Sequence, residues 1–381
     1  MRANARQRAV GSAIYVCLLC LVTAHFYLAP FWDLDMLGYM GNARLNDTID
    51  PVKLHGLVYG ELRASVPSSA FGYLTGAPGE PDQSGSKHDR FLNAYHYTEF
   101  LPCFAIRPLY NQIIYRLSRT GLGLVRSIRL VSALSYYLIG IIVLLWLGRY
   151  TPYSPVLSFL IMLLPPVSLL GRNTTADALS VLLGLSSLFV IFELDRVAIG
   201  IGLLSVAIWV RTDNVVLIVP VLAVLCFQRR LQLWVGAVFA VISVAAVLVI
   251  NHAAGDYGIR MLYYRNFLGT PLAPGEMIAH FTGRQYLYFF LSGFKAMLNS
   301  FVPVFLILST VGLNRRTAPL LGVVTAYVML HYVILPNWID RWMGVFYVVT
   351  CMVAAMNIKQ RQAITRQTGA PKPLTYETAV A

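Results

Sequence analysis

The sequence predicts an all-α polytopic membrane protein of about ten transmembrane helices with a large outward-facing first loop. Three observations lead there. Mean hydropathy is +0.63 over 381 residues, beyond what an ordinary soluble domain carries. The chain is 57% hydrophobic and 12% charged, and the apolar residues fall in long runs. Basic residues recur at alternate breaks between those runs.

The first run, 10–28, follows Arg2, Arg6 and Arg8. A signal peptide starts the same way, but this run is long and no small-x-small cleavage site follows it, so it reads as a retained signal anchor. Next comes a polar stretch, 30–99, holding nine of the 17 acids: Asp33, Asp35, Asp47, Asp50, Glu61, Glu80, Asp82, Asp89 and Glu99. Within it, the Gly- and Pro-rich segment 76–85 reads as a mobile loop. The fairly apolar segment 100–117 contains Arg107-Pro108, and counting it as a span would turn every later basic loop outward. It therefore reads as an interfacial helix, and the first loop extends over 30–126.

The later apolar runs are 128–147, 156–170, 176–192, 197–210, 215–227, 233–250, 286–313, 319–335 and 342–358. The pair 197–210 and 215–227 is short enough to be either two spans or a re-entrant hairpin. A cytoplasmic N-terminus puts Arg149, Arg196, Arg229-Arg230, Arg315-Arg316, Lys359 and Arg361 all inside. Residues 1–358 then form one transmembrane module of a multi-pass inner- or plasma-membrane protein. Residues 359–381 are polar and read as a disordered cytoplasmic tail. The net charge of +13 collects in cytoplasmic loops and implies no nucleic-acid partner. Five scattered cysteines, four of them in apolar runs, suggest neither a disulfide framework nor a metal site.

The outward turns share a composition of acids beside arginines. Asp33 and Asp35 follow the first run, Arg172 and Asp177 bracket a turn, and Arg211 stands beside Asp213. Arg265 and Lys295 mark a later loop, and Asp340-Arg341-Trp342 closes the last turn. Carboxylates serve as general bases on hydroxyls, guanidinium forks bind phosphate, and aromatics face sugar rings. Together they suit a substrate with a phosphate head and a lipid tail. The plainer readings are a helix cap for Asp35, an Asx turn for Asp33, a dipole-favoured helix acid for Asp177, and a structural ion pair for Arg211 with Asp213. His331 reads as a packing or hydrogen-bonding residue.

Several segments in this order resemble the GT-C superfamily of polytopic glycosyltransferases, which includes the protein O-mannosyltransferases and the lipid A aminoarabinose transferase. They are Asp35-x-x-x-Tyr39-x-x-x-Ala43, Arg107-Pro108-Leu109-Tyr110, Arg129-Leu130-Val131-Ser132, Thr175-Ala176-Asp177, Val210-Arg211-Thr212-Asp213-Asn214 and Asp340-Arg341-Trp342. Thr212 replaces the proline common in the fifth motif, and 55–89 matches nothing in the family. The resemblance implies a polyprenyl-phosphate-linked sugar as donor, inversion at the anomeric carbon, and a glycan, lipid or protein acceptor. It implies Asp35 as base with Asp33 as the close alternative, and Asp177 as a second carboxylate. Arg211 and Arg341 would hold the phosphate, with Arg172, Arg265 and Lys295 as further donor-binding cations. The superfamily contains members with and without a divalent cation, so that cofactor stays open. The competing function is a transporter or flippase of a lipid-linked or anionic solute.

Overall fold

The computed structural model describes residues 2–76, 86–256, 282–310, 313–336 and 340–368, and these are helical throughout with no strand among them. Helix α1 (Arg2–Leu28) leads into a helical first loop made of α2 (Asp35–Arg44), α3 (Pro51–Ser65), α4 (Ser68–Thr75), α5 (Ser86–Leu92), α6 (Ala94–Phe100), α7 (Pro102–Ala105) and α8 (Pro108–Leu117). Then follow α9 (Leu124–Gly148), α10 (Ser154–Leu163), α11 (Pro165–Arg172), α12 (Asp177–Phe192), α13 (Val197–Val210), α14 (Val215–Phe227) and α15 (Leu233–Ala253). The chain closes with α16 (Gly283–Leu298), α17 (Val302–Thr310), α18 (Ala318–Ile334) and α19 (Gly344–Thr368). Of the segment 76–85, read from sequence as a mobile loop, Gly76 caps α4 and 77–85 lies outside the described residues.

Among the described residues, three helices are long and apolar enough to cross a membrane: Arg6–Leu28, Leu124–Gly148 and Leu233–Ala253. A fourth crossing is added if α10 and α11 count as one broken span. The expected continuous run 156–170 is in fact bent by 72° between them. Pro165 and Pro166 explain the break, since proline removes a helical donor and pushes the residue before it out of the α region. Leu164 accordingly has ψ 137°. The run 286–313 is likewise divided, at residues 299–301, between α16 and α17. At the C-terminus, α19 continues past Lys359 to Thr368, into the stretch expected to be disordered. Gln, Arg and Ala sustain a helix there, and no Gly or Pro interrupts before Gly369.

Among the described residues, two hydrophobic cores form. The larger joins α1, the α9–α14 group, α18 and α19 around Tyr15, Tyr136, Trp146, Leu185, Leu217 and Phe346. The smaller belongs to the first loop, around Met36, Tyr39, Leu54, Tyr97, Phe104 and Tyr110. The 100–117 segment is broken twice, at Pro102 and Pro108, and packs into this second core instead of crossing as one helix. Asp50 starts α3 by accepting from Val52 N at 2.9 Å and Lys53 N at 3.2 Å, with Pro51 pre-set for the first turn. Helix α2 approaches α7 so closely at Gly38 that a Cβ there would overlap the Phe104 ring. Gly38→Ala should therefore destabilise the first loop by about 1–3 kcal/mol through overpacking. A thermal midpoint equal to wild type would contradict that contact.

Ionic contacts gather at the two ends of the apolar helices. Arg149 donates to Glu193 O at 3.3 Å, Arg230 to Ile191 O at 2.7 Å, and Arg316 lies 3.9 Å from Glu193. Arg230 also pairs with Asp195 at 2.5 Å. Basic residues assigned to one side from sequence thus meet at one end of α12. The other end carries the site described next.

Candidate functional site

The segment after α1 is stitched to the turn between α11 and α12. Phe31 N donates to Arg172 O at 2.8 Å, and Phe31 bridges Asn173 in a parallel arrangement. Asp33 N donates to Thr174 Oγ1 at 3.0 Å. This pairing carries Asp33 and Asp35 to the N-terminus of α12, where Asp177 is the first residue. Asp35 N donates to Asp33 Oδ1 at 3.0 Å, a local turn that fixes the two aspartates relative to one another.

Arg211 arrives from another direction. It ends α13 with an extended backbone (φ −152°, ψ 120°) and opens the one-turn helix Thr212–Asn214. Asn214 locks this turn by donating to Ala207 O at 2.8 Å, Arg211 O at 3.0 Å and Ser180 Oγ at 2.9 Å. Arg341 comes from the short turn Asp340–Met343 just before α19.

The two guanidiniums then join four carboxylates. Arg341 pairs with Asp33 through Nη1, with Asp35 through Nη2 at 2.9 Å, and lies 3.7 Å from Asp177 through Nε. Arg211 pairs with Asp177 through Nη1 and grips Asp213 with Nε at 3.0 Å and Nη2 at 2.6 Å. Thr175 Oγ1 donates to Asp177 Oδ2 at 2.8 Å, and His331 Nε2 lies 3.5 Å from Asp213 Oδ2. Asp177 and Arg211 are buried, at 3% and 7% exposure, so each depends on the other for its charge.

Burial works against the Arg341 charge, but Asp35 and Asp33 more than offset it and raise its pKa above the usual arginine value. Burial also disfavours an ionised Asp213, yet Arg211 and His331 hold its carboxyl well below the ordinary range. Burial pushes the Tyr39 phenol up to about 12; Arg107 opposes that rise and Asp35 adds to it. Tyr39 therefore stays a neutral hydroxyl beside the cluster.

Five of the residues expected from sequence come together here: Asp33, Asp35, Asp177, Arg211 and Arg341. Arg172 contributes only its carbonyl, because its guanidinium turns away over the Phe26 ring at 6.0 Å. Lys295 is exposed on α16 and takes no part. Arg265 lies outside the described residues. Asp213, His331 and Arg107 belong to the neighbourhood although the sequence reading gave them no catalytic or binding role. The signal for each was a charged or titratable side chain inside an otherwise apolar stretch. Among the described residues, no group of three or more His, Cys, Asp or Glu is arranged to hold a metal ion. Comparison with protein-family models, curated proteins and solved structures finds no match for this chain.

Proposed function

We propose that the protein is a membrane glycosyltransferase. It moves a sugar from a polyprenyl-phosphate donor to an acceptor hydroxyl at the outer face of the membrane, with inversion. One observation carries the reading: a single guanidinium, Arg341, holds Asp33 and Asp35 side by side and faces Asp177, at one end of a bundle of apolar helices. Several oriented carboxylates at a membrane surface suit removal of a proton from a hydroxyl.

In the proposed step the acceptor oxygen forms a bond to the anomeric carbon as the carbon–oxygen bond to phosphate breaks. The electron pair leaves with the phosphate, and the acceptor proton passes to Asp35, with Asp33 the neighbouring alternative. Asp177 orients the acceptor, and Arg211 holds the Asp177 carboxylate in place. Any phosphate meeting Arg341 or Arg211 must first displace a carboxylate from it. The shorter apolar helices α12, α13, α14 and α18, together with the α16–α17 pair and α19, complete the proposed ten-span topology, with both termini cytoplasmic. The interiors of α9 to α15 and of α18 contain no acid, which favours an enzyme at one face over a transporter with a charged path across the bilayer.

The test is incubation of the purified full-length protein with a panel of radiolabelled polyprenyl-phosphate sugars and membrane extract as acceptor, with and without a divalent cation. Transfer of label into extract supports the proposal. Donor left intact across the whole panel in both cation conditions sinks it.

A further inference from the structure

Arg211 serves two carboxylates at once, and Asp213 sets the direction in which it points. Nε and Nη2 grip Asp213 at 3.0 and 2.6 Å, which fixes the guanidinium plane and turns Nη1 onto Asp177. The Asp213 side chain is 30% exposed, whereas Arg211 and Asp177 are buried. Water therefore reaches Asp213 and competes for its oxygens. A single orientation of Asp177 then requires something besides Arg211 to stop the Asp213 carboxylate from rotating.

His331 is placed to do so. It is buried in the last turn of α18, and its Nε2 lies 3.5 Å from Asp213 Oδ2, the same oxygen that takes Arg211 Nη2. An ionised carboxylate only accepts, so Nε2 carries the hydrogen. Nδ1 is buried and meets no hydrogen-bond partner among the described residues. Leaving a buried polar atom unpaired costs free energy, and a phenyl ring would fill the same space without that cost, so packing alone does not account for an imidazole here. The ring is itself held firmly. It sits 5.9 Å from the Tyr327 ring and 5.6 Å from the Trp342 ring, and Tyr327, one turn earlier on α18, donates its hydroxyl to Trp342 O at 3.1 Å. Trp342 directly follows Arg341. Helix α18 thus ties together the two turns that carry Arg211 and Arg341.

We propose that His331 is a positioning residue: by donating Nε2–H to Asp213 Oδ2 it holds Arg211 in one plane, and so holds Asp177 in one orientation. The proposal rests on the glycosyltransferase reading only for its effect on turnover. There Asp177 orients the acceptor hydroxyl, and a small displacement of an orienting group slows the chemical step. Substrate affinity changes little, since His331 is buried and acts through Asp213.

The test compares His331→Phe, which keeps a ring and loses the donor, with His331→Gln, whose amide N–H replaces Nε2–H without the ring. His331→Asn, too short to reach Asp213, is a second variant without the donor. All are made in the full-length protein and assayed in one detergent with radiolabelled donor, with thermal midpoints to separate a lost contact from a lost fold. His331→Phe and His331→Asn should lower kcat by about tenfold, the size of a lost hydrogen bond to a charged group, and change KM by less than about twofold. His331→Gln should recover most of the rate, to within about threefold of wild type. A packing role reverses this order. A Gln variant slower than the Phe variant, a Phe variant with wild-type kcat, or a loss confined to KM would each overturn the proposal. A readout without turnover keeps it separate from the transferase reading. Solvent exchange of the Arg211 Nε–H, followed by NMR of isotope-labelled arginine and assigned by its absence in Arg211→Lys, should quicken by about tenfold in His331→Phe and not in His331→Gln. Equal exchange in wild type and both variants would overturn the positioning role even where sugar is transferred. The expected exchange pattern in a protein that transfers no sugar would sink the transferase reading and leave the positioning of Arg211 standing.

Discussion

Asp35→Asn is expected to lower the transfer rate by about 10²- to 10⁴-fold, the usual span for loss of a general base. The protein should remain folded. The amide oxygen still accepts from Arg341 Nη2, and Arg341 keeps Asp33 and Asp177 as partners. The backbone turn is also preserved, because Asp35 N donates to Asp33 whatever side chain it carries. Asp33→Asn supplies the comparison. A larger drop there would transfer the base assignment to Asp33. Initial rates with radiolabelled donor, alongside thermal midpoints in the same detergent, distinguish these results. Two variants that both fold and both retain wild-type rates would remove the carboxylates from the chemistry.

Arg211→Met should cost the fold about 3–5 kcal/mol, the cost of breaking a buried ion pair from one side. Asp177 would keep the Thr175 hydroxyl and the more distant Arg341, and Asp213 would keep His331. The Asp177 side carries most of the loss, because the Asp213 side chain is 30% exposed and water compensates it in part. Arg211→Met with Asp213→Asn should therefore recover a fraction of the stability and not all of it. Heat and denaturant midpoints in matched micelles provide the measurement. A single variant that melts with wild type would show that the pair contributes nothing to folding.

Much of the helical framework was legible in the sequence, because apolar runs bounded by charge or by Gly and Pro define it. The runs 197–210 and 215–227 coincide with α13 and α14 to the residue, and 176–192 differs from α12 by one. Breaks inside apolar runs were harder to read. Leu164-Pro165-Pro166 bends the chain by 72°, and Asn299-Ser300 separates α16 from α17, each within a run that is apolar on both sides. Within the site, the residue types and their positions in turns at the ends of apolar runs were readable. Their partnerships were not, since Asp33 and Arg341 are 308 residues apart and meet only through the stitch between Phe31 and the Asn173 turn. Arg172 illustrates the limit: it sits in the right turn, yet its side chain packs against Phe26.

The separation between the two ionic ends has a consequence for the surrounding lipid. Helix α12 has 16 residues and α13 has 14, so they measure about 24 and 21 Å at 1.5 Å per residue. Ordinary hydrocarbon is about 30 Å thick. In the proposed ten-span topology the leaflets beside this pair would dimple inward to keep polar groups wet, at a fraction of a kcal/mol for each ångström of mismatch. In that topology headgroups would be drawn below their usual level, and an amphiphile diffusing past would be lowered toward the aspartates.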